Sequence, residues 1–138
     1  VLKADVWYKT EQVVDAFCAY VIRTMASAPK PLPESIKDAL QFIHTNYNRP
    51  IRLKEVAEAI HLNKSYLSQL FQKTMGVTYS DYLEALRIES AKHYLKTTTK
   101  TASEIAEIVG FSSQNYFTKV FKNSVGISPI RFRSSKIS

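Results

Sequence analysis

Cysteine occurs once in 138 residues, as Cys18. A disulfide framework and a cysteine-ligated metal centre are therefore excluded within the chain, and a lone thiol fits a reducing compartment. Glycine numbers only three and proline five, which excludes collagenous and low-complexity architectures. No apolar run approaches the ~20 residues that cross a bilayer. No basic segment followed by an apolar stretch marks a secretory leader. The three histidines, His44, His61 and His93, lie far apart with no ligand spacing, so no metal is expected. Acidic residues vanish after position 110, where Lys119, Lys122, Arg131, Arg133 and Lys136 stand with no Asp or Glu.

That last absence gives the charge a direction. The chain carries a net +7, and a basic segment of this kind points to a polyanion, with nucleic acid ahead of an anionic membrane surface. Hydrophobic residues are 45% and charged residues 22%, which is enough apolar matter for one ordinary domain or two small ones.

Apolar residues recur at helical spacing through most of the chain, and no segment reads as a strand. Residues 10–26 carry Val13, Val14, Phe17, Tyr20, Val21 and Met25 on one face. Pro29, Pro31 and Pro33 then interrupt any helix, and we place a domain boundary there. Residues 1–32 are read as a helix and linker closing a missing upstream regulatory domain; residues 33–138 form the second domain. Helices are expected at about 33–47, 53–60, 64–74, 79–96, 102–109 and 113–123, with a short last helix around Phe132. Gly76 and Gly126 read as left-handed C-terminal caps. Thr101 with Glu104 reads as a capping box, Thr78 with Asp81 as a similar start, and Ser128-Pro129 as cap and first helical residue.

The chain also repeats itself. Glu55, Ala57 and Glu58 match Glu104, Ala106 and Glu107 at a spacing of 49, and Tyr66, Phe71 and Gly76 match Tyr116, Phe121 and Gly126 at a spacing of 50. The slip falls in a turn, where an inserted residue is tolerated. Each repeat is a short helix, a tight turn and a second helix. This is a helix-turn-helix, whose second helix can lie in a DNA major groove. The first spans about 53–74 and the second about 102–123, and the bridging helix at about 79–96 spaces them.

Residues 34–133 resemble the AraC/XylS family of bacterial transcription regulators. The second half carries the fuller pattern: Ile105-Ala106, Val109-Gly110-Phe111, Tyr116-Phe117, Phe121-Lys122, Gly126, Ser128-Pro129 and Phe132-Arg133. The first half is looser: Leu53, Val56-Ala57, Leu62, Tyr66-Leu67, Phe71, Gly76, Tyr82-Leu83 and Arg87. Arg52 departs from the family's usual Ser or Thr cap. The expected fold is all-α, two homeodomain-like three-helix units joined by the bridging helix. The resemblance implies sequence-specific binding of double-stranded DNA, with activation favoured over repression, RNA polymerase as a partner and a cytoplasmic location.

The resemblance places base contacts on Ser65, Ser68 and Gln69. In the second repeat Gln114, Asn115, Thr118 and Lys119 remain once the apolar face is removed. Gln and Asn suit adenine, and Lys suits guanine or phosphate. Lys64, Lys73, Lys122, Arg131 and Arg133 are expected on phosphates, with helix-start amides near Thr78 and Ser103. Arg87 is read as an ion-pair partner or a DNA contact, and Tyr66 and Tyr116 as core. An alternative keeps the helices as a protein-interaction module, or as a homodimer formed through the N-terminal helix or the missing domain. Enzyme function is not expected. No nucleophile–base set and no glycine-rich phosphate loop occurs, and neither cofactor nor metal is called for.

Overall fold

Five of the seven described helices start at a short side chain that caps them. The computed structural model describes residues 32–135, so the expected N-terminal helix, Cys18 and Lys136 lie outside the described residues. Among the described residues there are seven helices and no strand. Helix α1 (Glu34–Asn46) starts directly after Pro33, which occupies the capping position rather than the first helical one. Its carbonyl accepts the amides of Ile36 and Lys37 at 3.0 and 3.1 Å.

Two helix-turn-helix pairs follow the same plan. The first is α2 (Leu53–Ala59) and α3 (Lys64–Met75); the second is α5 (Ala102–Ile108) and α6 (Gln114–Val125). Arg52 contributes no side-chain cap to α2, whereas Thr101 and Glu104 form the full capping box on α5. Asn63 caps α3 by accepting from the amides of Ser65 and Tyr66, and Ser113 caps α6 by accepting from Tyr116. Both second helices end on a left-handed glycine, Gly76 and Gly126. In the turns, the amide of Leu62 donates to the Ala57 carbonyl at 2.8 Å, and that of Phe111 to the Ala106 carbonyl at 2.9 Å. A left-handed residue sits just before each of those donors: His61 in the first turn, Gly110 in the second.

The bridging helix α4 (Tyr79–Thr97) starts at Thr78, which accepts the amide of Asp81, and α7 (Pro129–Ser134) starts at Ser128 with Pro129 as its first residue. The apolar residues divide into two cores. One gathers Ile36, Ala39, Leu40, Ile43, Val56, Ala57, Leu67, Phe71 and Met75 with Tyr79, Tyr82, Leu83 and Leu86. The other gathers Ile88, Ala91, Tyr94 and Leu95 with Ile105, Ala106, Val109, Phe117, Phe121 and Phe132. Both cores draw on α4. At 3.6 residues per turn, the step from Leu86 to Ile88 rotates the buried face by ~200°. The bridge therefore shows one side to the first unit and roughly the opposite side to the second. Small Ala57 and Ala106, each 2% exposed, let the paired helices cross closely.

The repeat is visible in the packing. Phe71 and Phe121, spaced 50 apart, are both fully buried, as are Leu67 and Phe117. Burying a side chain of this size is worth roughly 1.5–3 kcal/mol each. No buried side-chain nitrogen or oxygen among the described residues lacks a hydrogen bond.

Candidate nucleic-acid interface

Each second helix has one apolar face and one polar face. On α3 the stripe Leu67, Phe71, Met75 turns inward. Ser65, Ser68 and Gln69 are exposed on the other side, with Lys64, Gln72 and Lys73. On α6 the inward residues are Phe117, Val120 and Phe121. Gln114, Asn115, Lys119 and Lys122 are exposed, and Thr118 is half-buried.

Charge separates between the helices of each pair. The first helices carry the acids, Glu55 and Glu58 on α2 and Glu104 and Glu107 on α5. The second helices carry none: α3 has Lys64 and Lys73, and α6 has Lys119 and Lys122. Among the described residues these four lysines and Arg131 make no ion pair, whereas Lys37, Arg49 and Lys92 pair with Glu34, Glu55 and Glu89. The first turns of α3 and α6 also hold no acid. Those of α4 and α5 hold Asp81 and Glu104, and the caps Thr78 and Thr101 already take an amide each. Hydrogen bonds from Thr101 hold the Glu104 carboxyl below the usual carboxylate range, so it stays charged. That start is poorly suited to a phosphate, contrary to the expectation for the amides near Thr78 and Ser103.

Tyr66 and Tyr116 were expected in the core, yet they are 55% and 46% exposed. They flank the buried stripes rather than belonging to them. The Tyr116 hydroxyl donates to Glu84 of the bridge at 2.7 Å. That hydrogen bond raises the phenol's pKa. Arg133 also departs from expectation. It is half-buried, and its guanidinium donates to the carbonyls of Leu95, at 3.0 Å, of Thr98, at 3.2 Å, and of Lys100. These are carbonyls at the end of α4 and just beyond, which the helix itself cannot satisfy. Arg133 is thus a structural clamp that commits its Nε and Nη2 to these carbonyls.

Arg87 does the same for α1. It donates from Nε to the Tyr47 carbonyl at 2.8 Å and from Nη2 to the Arg49 carbonyl at 3.0 Å, and it lies 6.0 Å from the centre of the Phe111 ring. Burial lowers its pKa. It makes no salt bridge among the described residues, so the ion-pair role expected for it is replaced by carbonyl clamping. Glu84 and Asn63 went unrecognised in the sequence. A capping Asn before a helix was the available signal for one, and nothing local marked the other.

No His, Cys, Asp or Glu cluster among the described residues could hold a metal, and no helix there is long and apolar enough to cross a membrane.

Residues 56–135 match the helix-turn-helix domain family. The chain is 34% identical over 123 residues to the helix-turn-helix-type transcriptional regulator YfiF of Bacillus subtilis, covering 88% of this chain and 39% of that protein. Among solved structures it is similar to the C-terminal domain of AraT, a response regulator from Geobacillus stearothermophilus. Identity there is 32% and the TM-score 0.74, over 79% of this chain and 92% of that one. The DNA-binding domain of AdpA, solved in complex with a target DNA, shares the fold alone, at 22% identity and a TM-score of 0.64, over 77% of this chain and 92% of that one.

Proposed function

The chain belongs to the AraC-type helix-turn-helix family of transcription regulators, and from that premise we infer that it binds double-stranded DNA sequence-specifically with α3 and α6 in successive major-groove segments. One observation carries the reading. Both second helices expose an acid-free polar face, while the acids sit on the first helices. Base edges are read by Ser65, Ser68 and Gln69 from α3, and by Gln114, Asn115, Thr118 and Lys119 from α6. Gln69, Gln114 and Asn115 have the donor–acceptor pair that adenine presents in the major groove, and Lys119 suits guanine. Lys64, Lys73, Lys122 and Arg131 hold phosphates and set the register. The 19-residue bridge is about 28 Å long. With the flanking turns this suits readers set one DNA turn, ~34 Å, apart.

On the same reading, residues 33–138 are the DNA-binding part, residues 1–32 close an upstream regulatory domain, and any homodimer contact lies in the N-terminal segment or in that domain. The output is activation through contact with RNA polymerase, in the bacterial cytoplasm. The test is selection of bound duplexes from random sequence. Two conserved half-sites about one turn apart support the reading, and binding without sequence preference refutes it.

A further inference from the structure

Both cores draw on α4, and the bridge alone would leave the second unit free to tilt as the helix flexes. Three contacts cross the boundary at one place. A Cβ on Gly110 would stand 2.6 Å from the Tyr47 carbonyl oxygen and 3.1 Å from the Asn48 carbonyl carbon, so the second turn lies flat against the end of α1. The Phe111 ring lies beside the Arg87 guanidinium. The Tyr47 and Ser90 hydroxyls share a hydrogen bond of 2.9 Å, tying α1 to the far half of the bridge. Together they form a compact fulcrum, and a fulcrum permits rocking.

A fourth contact opposes that motion. Glu84 lies four residues before Ile88 and so continues the Ile88, Ala91, Leu95 stripe one turn back, into the half of α4 whose apolar face serves the first unit. There its carboxylate accepts the hydroxyl of Tyr116, the third residue of α6. Tyr66 holds the matching place in the first repeat and makes no such hydroxyl bond among the described residues. The tether therefore belongs to the junction, not to the repeat.

We propose that Glu84 is a positioning residue. By holding Tyr116 it fixes the angle of α6 to the first half of the bridge, and so sets the half-site spacing that one chain accepts. The clause about spacing rests on the DNA-binding reading above; the clause about angle does not, and the experiment separates them. Residual dipolar couplings of the full 15N-labelled chain are compared for the natural protein, Glu84→Leu and Glu84→Gln. Gln keeps a carbonyl that accepts from the hydroxyl, and Leu does not. One alignment tensor should fit both units in the natural chain and in Glu84→Gln, and two should be needed in Glu84→Leu, with unchanged thermal melting. A single tensor for Glu84→Leu, or two for the natural chain, overturns the proposal.

Duplexes bearing the two selected half-sites, at the natural spacing and with one base pair added, give the second readout. Each added pair rotates the half-sites by about 35°. The natural chain and Glu84→Gln should discriminate between the spacings about 2- to 5-fold better than Glu84→Leu, the range expected for a partly exposed charge-assisted hydrogen bond. Affinity for an isolated half-site should not differ. Equal discrimination by all three overturns the spacing role. Failure of the natural chain to select any half-site overturns the functional reading, and leaves the tensor result to decide the angle.

Discussion

Removing one cation at a time should distinguish phosphate contacts from clamps. Four cations assigned to phosphates make no ion pair among the described residues: Lys64, Lys73, Lys122 and Arg131. If each neutralises one phosphate, counterion release at ~0.9 per contact gives log K against log salt a slope of about −3.6. Between 50 and 200 mM salt this is a fall of about 150-fold in affinity. The double variant Lys64→Ala/Lys122→Ala should have a slope near −1.8 and fall only about 12-fold over that range. Arg133→Ala should behave differently. It strands the carbonyls of Leu95, Thr98 and Lys100, so it should cost about 1–3 kcal/mol in urea unfolding while leaving the slope unchanged. The assay is fluorescence anisotropy with a selected duplex over a salt series, paired with a urea melt of each variant. A slope that drops by ~0.9 in Arg133→Ala at unchanged stability would refute the clamp assignment. A slope indifferent to Lys64 and Lys122 would refute the phosphate assignment.

Three further outcomes follow from packing and titration. Phe121→Ala empties a fully buried site of the second core and should cost about 3–5 kcal/mol in chemical denaturation; amide exchange should accelerate over 102–134 well before 34–86. Gly110→Ala should destabilise, because φ is +100° and the new carbon meets the Tyr47 carbonyl, whereas His61→Gly, at φ +60°, should be neutral or stabilise by up to about 1 kcal/mol in the same melts. Burial pushes the Tyr79 phenol, which donates to the Ile51 carbonyl, up to about 12. An unfolded tyrosine ionises near 10, so the stabilisation it provides is complete below pH ~10 and is lost as pH rises towards ~12. Tyr79→Phe should flatten that part of the stability profile, and an unaltered profile would contradict the assignment.

Helix ends and the duplication were legible in the sequence because they are written in adjacent residues. Thr101 with Glu104, Ser128 with Pro129, and the two glycines after α3 and α6 each act within four positions of themselves. Faces were harder. Tyr66 stands four before Leu70, which packs half-buried against the first core, and so imitates a buried residue, but the fully buried stripe is Leu67, Phe71, Met75 and Tyr66 lies outside it. In a helix of 12 residues two such stripes fit equally well, and only the neighbouring helices choose between them. The roles of Arg87 and Arg133 were out of reach for another reason. A guanidinium counts as surface charge until the carbonyls that absorb it, 33 to 40 residues away, are placed beside it.

Two differences between the repeats are explained by the junction and not by the readers. His61 and Gly110 occupy the same left-handed step of the same turn, and a side chain is tolerated only in the first. His61 is exposed, while the second turn abuts the end of α1, where the Tyr47 carbonyl leaves no room for a Cβ. Tyr66 and Tyr116 are likewise the same residue at the same step, but only the second reaches a bridge carboxylate. Two copies of a helix-turn-helix can read DNA independently with identical sequences. What restricts position 110 to glycine and position 84 to a hydrogen-bond acceptor is the requirement that the second copy rest on the first at one angle.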